Sequence, residues 1–293
     1  MSKLKVAILG TGNIGTDLMV KILRSEYLKC GAFVGRNLVS QGIQKAQQLG
    51  VNVSAEGIDY IIKNPDCCDI VFDATSASAH FEHAPVLKKL GKFVIDLTPA
   101  KIGGMCVPAV NLIECIKLDN VNMITCGGQA SIPIAYAIGQ TQKNIDYIEV
   151  VSAIASRSAG PATRLNLDEY IHTTEEGIKK FSGAKRTKAI LNLNPATPCI
   201  NMQTTVMAKV EKPDLDSLTK KLSELVSIVK KYVPGYEIVV GPTIENDRIF
   251  ITVRVKGLGD YLPEYAGNLD IINCAAIGIA EEYARHSLQG KKS

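Results

Sequence analysis

Apolar and polar residues follow two different rhythms along this chain, and the change comes near its middle. In the first half, short continuous apolar runs alternate with segments of helical spacing. Val6-Ala7-Ile8-Leu9, Gly31 to Val34, Ile70 to Asp73 and Phe93 to Asp96 are such runs, with a shorter one at Val51 to Val53 and a last one from Val121 to Ile124. Unbroken apolar runs are expected of parallel strands buried on both faces. Between them, Thr16 to Ser25 carries Leu18, Met19, Ile22 and Leu23 at a helical period. Further helices are predicted over Leu38 to Leu49 and Ile58 to Lys63, and from Ala130 to Gly139. Lys101 to Val110, broken by glycine and proline, reads as loop, and His80 and His83 as residues that cap or flank a helix.

The second half has longer strands and fewer helices. Strands are predicted at Tyr147 to Ala155, Lys188 to Leu193, Thr205 to Val210, Tyr236 to Val240 and Arg248 to Val255. Helices are predicted at Leu167 to Phe181 and Leu215 to Tyr232, the latter opened by Pro213-Asp214. Val206, Ala208 and Val210 alternate with polar neighbours, as do Ile249, Ile251, Val253 and Val255. That pattern predicts an antiparallel sheet buried on one face, with the other open to a helix or a second subunit. Leu269 to Gln289 reads as a closing helix with Asn268 as its N-cap, packed back on the first domain, and Lys291-Lys292-Ser293 as a frayed tail. The fold class is therefore α/β. A dinucleotide-binding domain is expected over residues 1–125, an α+β domain over 126–267, and a return helix over 269–289.

Composition narrows the partners. The 293 residues carry a net charge of +4, too mild to argue for nucleic acid. No apolar stretch approaches the roughly 18 residues a membrane span needs. The apolar run ending at Gly10 is too short for a signal-peptide core. Eight cysteines are scattered without a CxxC, and the four histidines lack ligand spacing. A reducing, cytoplasmic setting with no structural metal is expected.

Gly10-Thr11-Gly12-Asn13-Ile14-Gly15 follows the first strand directly and opens the first helix. In that context GxGxxG reads as a dinucleotide fingerprint, in which the second glycine lets a pyrophosphate approach the backbone. NAD-binding folds usually place an acidic residue at the end of the second strand to hold the ribose. Gly35 and Arg36 stand there instead. An arginine can pair with a 2′-phosphate, which leaves NADP open beside NAD.

Thr125-Cys126-Gly127-Gly128-Gln129-Ala130 places a thiol where a strand turns into a helix. A helix N-terminus favours the thiolate form. The two glycines would leave room for a substrate and offer N–H groups to an oxyanion. A dinucleotide fold with such a thiol suggests one chemistry. The thiolate adds to an aldehyde, hydride leaves for a nicotinamide, and a thioester remains for an acceptor.

Four motifs, Thr125 to Ala130, Asp96-Leu97-Thr98-Pro99, Ser158-Ala159-Gly160-Pro161-Ala162-Thr163-Arg164 and Ala266-Gly267-Asn268-Leu269-Asp270, together resemble the acylating acetaldehyde dehydrogenases that partner 4-hydroxy-2-oxovalerate aldolase. The resemblance runs from the Gly-rich loop to the last helix. It implies a Rossmann domain followed by a catalytic and dimerisation domain of the semialdehyde and glyceraldehyde-phosphate dehydrogenase type. It implies oxidation of acetaldehyde to acetyl-CoA with NAD, catabolism of aromatic compounds, a homodimer and a bound aldolase. Cys126 would be the catalytic nucleophile. Thr11, Gly12, Asn13, Ile14, Ser158, Ala159, Gly160, Pro161, Ala162, Thr163, Arg164, Leu165, Asn166 and Asn268 would contact the cofactor.

From the residues alone, the segment Ser158 to Arg164 is a Gly-Pro loop able to offer N–H groups and a guanidinium to a phosphate. One departure stands out. The family pattern has Met-Arg-Asp-Thr, with the Asp a proposed base, where this chain has Met202-Gln203-Thr204-Thr205. Threonine is no base near neutral pH. His172, on a predicted helix, reads as an exposed or packing residue, so the base stays unassigned. The alternatives are a semialdehyde dehydrogenase that forms an acyl phosphate with the same thiol, and a non-catalytic NAD-binding regulator.

Overall fold

The computed structural model describes residues 3–290, with the side chains at 161, 162 and 290 left aside. The N-terminal Met1-Ser2 and the tail Lys291-Lys292-Ser293 lie outside the described residues. The chain divides into two compact units. One holds residues up to Cys106, Asn111–Met123 and the chain from Asn273 onward; the other holds Val107–Val110 and Ile124–Ile272.

The first unit alternates strand and helix: β1 (Leu4–Leu9), α1 (Asn13–Leu23), β2 (Leu28–Val34), α2 (Gln41–Gln48), β3 (Val53–Ser54), α3 (Ile58–Lys63), β4 (Ile70–Asp73), α4 (Ala77–Lys89), β5 (Phe93–Asp96), β6 (Gly104–Met105), α5 (Pro108–Cys115) and β7 (Asn120–Asn122). Seven parallel strands make one sheet in the order β3-β2-β1-β4-β5-β7-β6. The continuous apolar runs are its centre: Val6 to Leu9, Ile70 to Phe72 and Phe93 to Ile95 are buried. That is what helices on both faces of a parallel sheet require.

Five expectations need correction here. The segment from Lys101 to Val110 is not all loop, because β6 and the start of α5 lie in it. The first helix starts at Asn13, inside the Gly-rich motif, and α2 starts at Gln41, where Ser40 caps it by accepting from the Ile43 amide. The short strand predicted from Val51 begins at Val53. His80 and His83 lie within α4, where both reach Asp73 (2.9 and 2.8 Å); Ser76 supplies the cap.

The second unit contains α6 (Cys126–Thr141), β8 (Ile145–Ala155), α7 (Pro161–Leu165), α8 (Leu167–Ser182), β9 (Arg186–Asn194), β10 (Met202–Val210), α9 (Leu215–Tyr232), β11 (Tyr236–Glu245), β12 (Arg248–Val255) and the start of α10 (Gly267–Gly290). Its sheet runs β11-β12-β10-β8-β9. Residues at period two, Ile148, Val150, Ile154, Met202, Val206, Ala208, Ile249, Ile251 and Val253, are buried, and α6 packs with α8 and α9. The sheet is not wholly antiparallel as expected: β9 runs parallel to β8. The helical crossover α8 between them explains it, since parallel neighbours need such a connection.

The last helix begins in the second unit, and its residues from Asn273 belong to the first. There Asn273 Nδ2 donates to Asp17 (2.8 Å) on α1, and Tyr283 stacks on Phe93 at 4.1 Å. Among the described residues no helix is long and apolar enough to cross a membrane. All eight cysteines stand free of disulfides.

Candidate active site

The approach to Cys126 is backbone under strain. Ile124 has φ 64°, a left-handed conformation that a β-branched residue rarely adopts and that costs about 1–2 kcal/mol. Thr125 then returns to extended backbone and caps α6, its Oγ1 accepting from the Gly128 amide at 2.8 Å. The helix starts at Cys126 itself, four residues before the predicted Ala130, so Gly127 and Gly128 form its first turn rather than a loop. Cys126 keeps part of its surface accessible, while its neighbours from Gly127 to Pro133 are buried.

Tyr170 of α8 lies over this turn. Its Oη accepts from the Gly127 amide at 2.9 Å and stands 3.5 Å from Cys126 Sγ. This corrects the reading of the two glycines. A Cβ on Gly127 would come within 2.2 Å of that Oη, and one on Gly128 within 2.8 Å of Ile124. Glycine is required because protein crowds the turn, and both amides already donate to protein oxygens instead of awaiting an oxyanion.

Thr204, where the resembled family has its Asp, is fully buried and 2.9 Å from Ser152 Oγ. The two face each other in register on β10 and β8. Ser152 Oγ and the Tyr170 phenol both crowd the Gly127 Cα, where an added Cβ would stand 3.1 and 2.2 Å from them. Loss of solvent around the sulfur pushes the Cys126 thiol above its ordinary value, opposed by the Tyr170 phenol and by the Gly127 and Cys126 amides. Burial pushes the phenol well above its ordinary value too, with the sulfur adding to the rise and the Gly127 amide and Ser152 opposing it. His172 is exposed on α8 and lies 3.9 Å from Glu175, as its sequence reading expected.

Tyr170 and Ser152 were not singled out in the sequence. The available signal was polarity on a buried rhythm. Ser152 interrupts Ile148, Val150 and Ile154, and Thr204 interrupts Met202, Val206 and Ala208, on strands that prove to be neighbours.

β8 ends three residues beyond Ser152 and leads into the second predicted cluster. The segment Ser156 to Leu165 is not open loop: a single 3-10 turn, Ser156–Ser158, is followed by α7. Arg164 is folded back on it, donating to Ser156 and Ala159 carbonyls at 3.0 Å and to Ser156 Oγ at 2.9 Å. The guanidinium braces this segment, so not all its donors are open to a phosphate. Leu165 is 82% exposed, beside Thr163 and Asn166. The side chains of Pro161 and Ala162 lie outside those described.

Asn268 is the second residue of α10, not its cap, because the helix already starts at Gly267. Its Nδ2 donates to the Ser158 carbonyl at 3.5 Å, and its buried Oδ1 has no partner among the described residues.

In the first unit, Thr11, Gly12, Asn13 and Ile14 surround the N-terminus of α1. Gly10 has φ 105°, and a Cβ there would meet the Ala74 carbonyl at 2.4 Å; one on Gly15 would meet the Gly10 carbonyl at 1.9 Å. Around Gly12 a Cβ would meet nothing within 4 Å. Two glycines are thus demanded by the protein's own packing, and Gly12 by none of it. A pyrophosphate lying on the helix N-terminus would fill that space. Gly35 is buried at the end of β2 and Arg36 is exposed.

Two family profiles match the chain: "Semialdehyde dehydrogenase, NAD binding domain" over residues 5–111, and "Prokaryotic acetaldehyde dehydrogenase, dimerisation" over 126–263. An acetaldehyde dehydrogenase of Spirochaeta aurantia is 64% identical over 96% of this chain and 95% of its own. One from Pectobacterium atrosepticum is 57% identical over 95% of each. Among solved structures, aspartate semialdehyde dehydrogenase II of Vibrio cholerae, complexed with ASA, is similar with TM-score 0.65 at 15% identity, over 97% of this chain and 99% of that one. At that identity the likeness shows the fold, a semialdehyde dehydrogenase-type α/β architecture with a nicotinamide-dinucleotide domain.

Proposed function

The chain belongs to the acetaldehyde dehydrogenase family, and on that premise we propose that it oxidises acetaldehyde to acetyl-CoA with NAD, using Cys126 as nucleophile. The observation that carries the reading is a partly accessible thiol at the first position of a long helix, with a phenol beside its sulfur. The Cys126 thiolate adds to the carbonyl carbon, forming a C–S bond while the π pair moves to oxygen. The adduct on Cys126 loses hydride and becomes a thioester. The nicotinamide ring, when bound, supplies the two-electron acceptor for that hydride. The thiolate of CoA then attacks the acyl carbon, and the Cys126 C–S bond breaks to return the enzyme thiolate.

For the cofactor, Thr11 to Ile14 at the open N-terminus of α1 would hold the pyrophosphate. The segment Ser158 to Asn166 and the unpartnered Asn268 Oδ1, an acceptor suited to a carboxamide N–H, would hold the nicotinamide end. Gly35 and the exposed Arg36 support some use of NADP. The boundaries 1–125 and 126–267, with 269–289 returning to the first domain, are proposed as the functional division. Exposed Ile190, Val239, Val240 and Ile244 on the second unit's strands support a homodimer through this domain. The resemblance extends the proposal to an aldolase partner and to aromatic catabolism, and the scattered cysteines without a CxxC support a cytoplasmic setting.

The test is NADH formation from acetaldehyde with and without CoA. CoA-dependent turnover that vanishes in Cys126→Ala, with NAD binding kept, is expected. Phosphate-dependent turnover of a semialdehyde would move the protein to the acyl-phosphate reading; turnover by Cys126→Ala would remove the nucleophile.

A further inference from the structure

A thiol nucleophile needs either a base to take its proton or an environment that stabilises the thiolate. The site around Cys126 holds hydroxyls where a base would be expected. Tyr170 Oη has one proton and two lone pairs, and the Gly127 amide occupies one lone pair at 2.9 Å. The remaining lone pair and the proton are shared between Ser152 and the sulfur. Ser152 is 2.9 Å from Thr204 Oγ1. Ser152, Thr204 and Gly127 are buried and uncharged, and the groups bearing on the sulfur are the phenol and the first-turn amides.

The direction of this chain is set at its far end. A threonine hydroxyl can donate, so protons can run from Thr204 to Ser152, from Ser152 to Tyr170 and from Tyr170 to sulfur. Every donor then points toward the thiolate, and aligned hydrogen bonds reinforce one another. A carboxylate at 204 could only accept. It would draw the Ser152 proton to itself and the phenol proton to Ser152, leaving the sulfur without that donor.

Resting on the reading of Cys126 as nucleophile, we propose that Tyr170 is a catalytic residue, the fixed hydrogen-bond donor that stabilises the Cys126 thiolate, oriented by Ser152 and Thr204 acting as positioning residues. The S–H bond breaks with its electron pair left on sulfur, and the proton goes to water on the accessible side. No protein group takes it. Threonine at 204 is then a working part of the site, and the absent carboxylate is not a lost function. The phenol, held well above its ordinary pKa chiefly by burial, remains a donor throughout.

The experiment is the pH dependence of iodoacetamide alkylation of Cys126, followed on the cysteine-bearing peptide of the full-length enzyme with NAD present, beside CoA-dependent turnover. In Tyr170→Phe the alkylation midpoint should move up in pH. Alkylation and kcat near neutral pH should fall about tenfold to hundredfold, the scale of one hydrogen bond to a charge. The limiting alkylation rate at high pH should stay as in wild type, which a merely structural role would not predict. Thr204→Val should cause a smaller shift, and Thr204→Asp a rise at least as large as Tyr170→Phe. An unshifted midpoint in Tyr170→Phe, or a lowered one in Thr204→Asp, overturns the inference. If Tyr170→Phe does not fold, the Thr204 pair decides alone. Turnover that survives in Cys126→Ala overturns the underlying reading instead, so the two failures are distinct.

Discussion

Gly127→Ala puts the crowding at the candidate nucleophile to a direct test. The new Cβ would stand 2.2 Å from Tyr170 Oη and 3.1 Å from Ser152 Oγ, whereas ordinary contact begins near 3.4 Å. The phenol would have to retreat by about 1.2 Å, which stretches its 2.9 Å bond from the Gly127 amide to about 4 Å, beyond hydrogen-bonding range. Overpacking of this kind costs about 1–3 kcal/mol. Alanine in place of a helical glycine returns up to about 1 kcal/mol, less in a first turn. The net loss is about 1–2 kcal/mol, or a Tm lowered by roughly 3–8 °C for a unit of this size. Activity should fall further than stability suggests, by about tenfold or more in kcat/KM, because a donor to the thiolate is displaced. Thermal melting and CoA-dependent NADH formation measure the two effects. Wild-type turnover in a folded Gly127→Ala enzyme would refute the reasoning, since the phenol could then leave the sulfur without consequence.

The Gly-rich motif gives a contrast within six residues. Gly12→Ala should leave Tm within about 1 °C and raise the KM for NAD about tenfold or more, because its Cβ enters open space; Gly15→Ala should unfold or strongly destabilise the protein, because its Cβ meets a backbone carbonyl at 1.9 Å. Asn268→Ala should cost less than about 1 kcal/mol, since only a long 3.5 Å bond is lost, yet weaken NAD binding measurably by calorimetry. The buried pair of Asp73 and His80 should give the protein an alkaline decline in stability. Burial opposes the Asp73 charge, but bonds from His80, His83 and Thr75 outweigh it and hold the carboxyl well below its usual range, so that contribution is present above about pH 4 and lost only in stronger acid. Burial also opposes the His80 charge, but Asp73 and Asp96 outweigh it and raise its pKa, so its contribution is full below about pH 6.5 and lost as pH rises through the raised value; Asp96, itself raised by burial, loses its own contribution earlier, as pH rises from about 4 through its raised value. Urea midpoints across pH 5 to 9 should therefore fall, and His80→Gln should be less stable by about 3 kcal/mol at the acid end with a flatter profile.

What could be read in advance was whatever depends on one segment at a time. The strand from Ile70 to Asp73, the helix from Ile58 to Lys63 and the helix from Leu215 to Tyr232 were legible to the residue, because each carries its own period and its own boundary. Asp214 does cap its helix, accepting from Ser217 at 3.0 Å. Misplaced elements had their cause elsewhere. Cys126 to Gln129 look like turn because two glycines seldom open a helix, and it takes the phenol of Tyr170, forty-three residues beyond Gly127, and the Ile124 side chain against Gly128 to make glycine necessary there. Asn268 looks like a cap by residue type, yet the preceding Gly267 is already helical, with a Cβ position 2.1 Å from the Val255 carbonyl. A parallel edge strand at β9 follows from the crossover helix before it and not from any pattern within the strand.

The same distinction explains why Cys126 could be found from sequence and Tyr170 could not. A thiol between a strand and a helix announces itself by position, since a helix N-terminus next to a cysteine can be read from one segment. A phenol in a helix is an ordinary amphipathic residue until the sheet beneath it is known. Ser152 and Thr204 were each visible as a polar residue on an apolar face, but they explain each other only in register across β8 and β10. Read singly, Thr204 was a missing base. Read with its partner it is the end of a hydroxyl row that terminates on the sulfur, and the absence of a carboxylate becomes a condition for that row to point the right way. Substitution at any one of the three should therefore act through the other two, so that Ser152→Ala combined with Thr204→Val should cost little more than Ser152→Ala alone; additive losses would mean that the hydroxyls act separately and that the row is only a coincidence of packing.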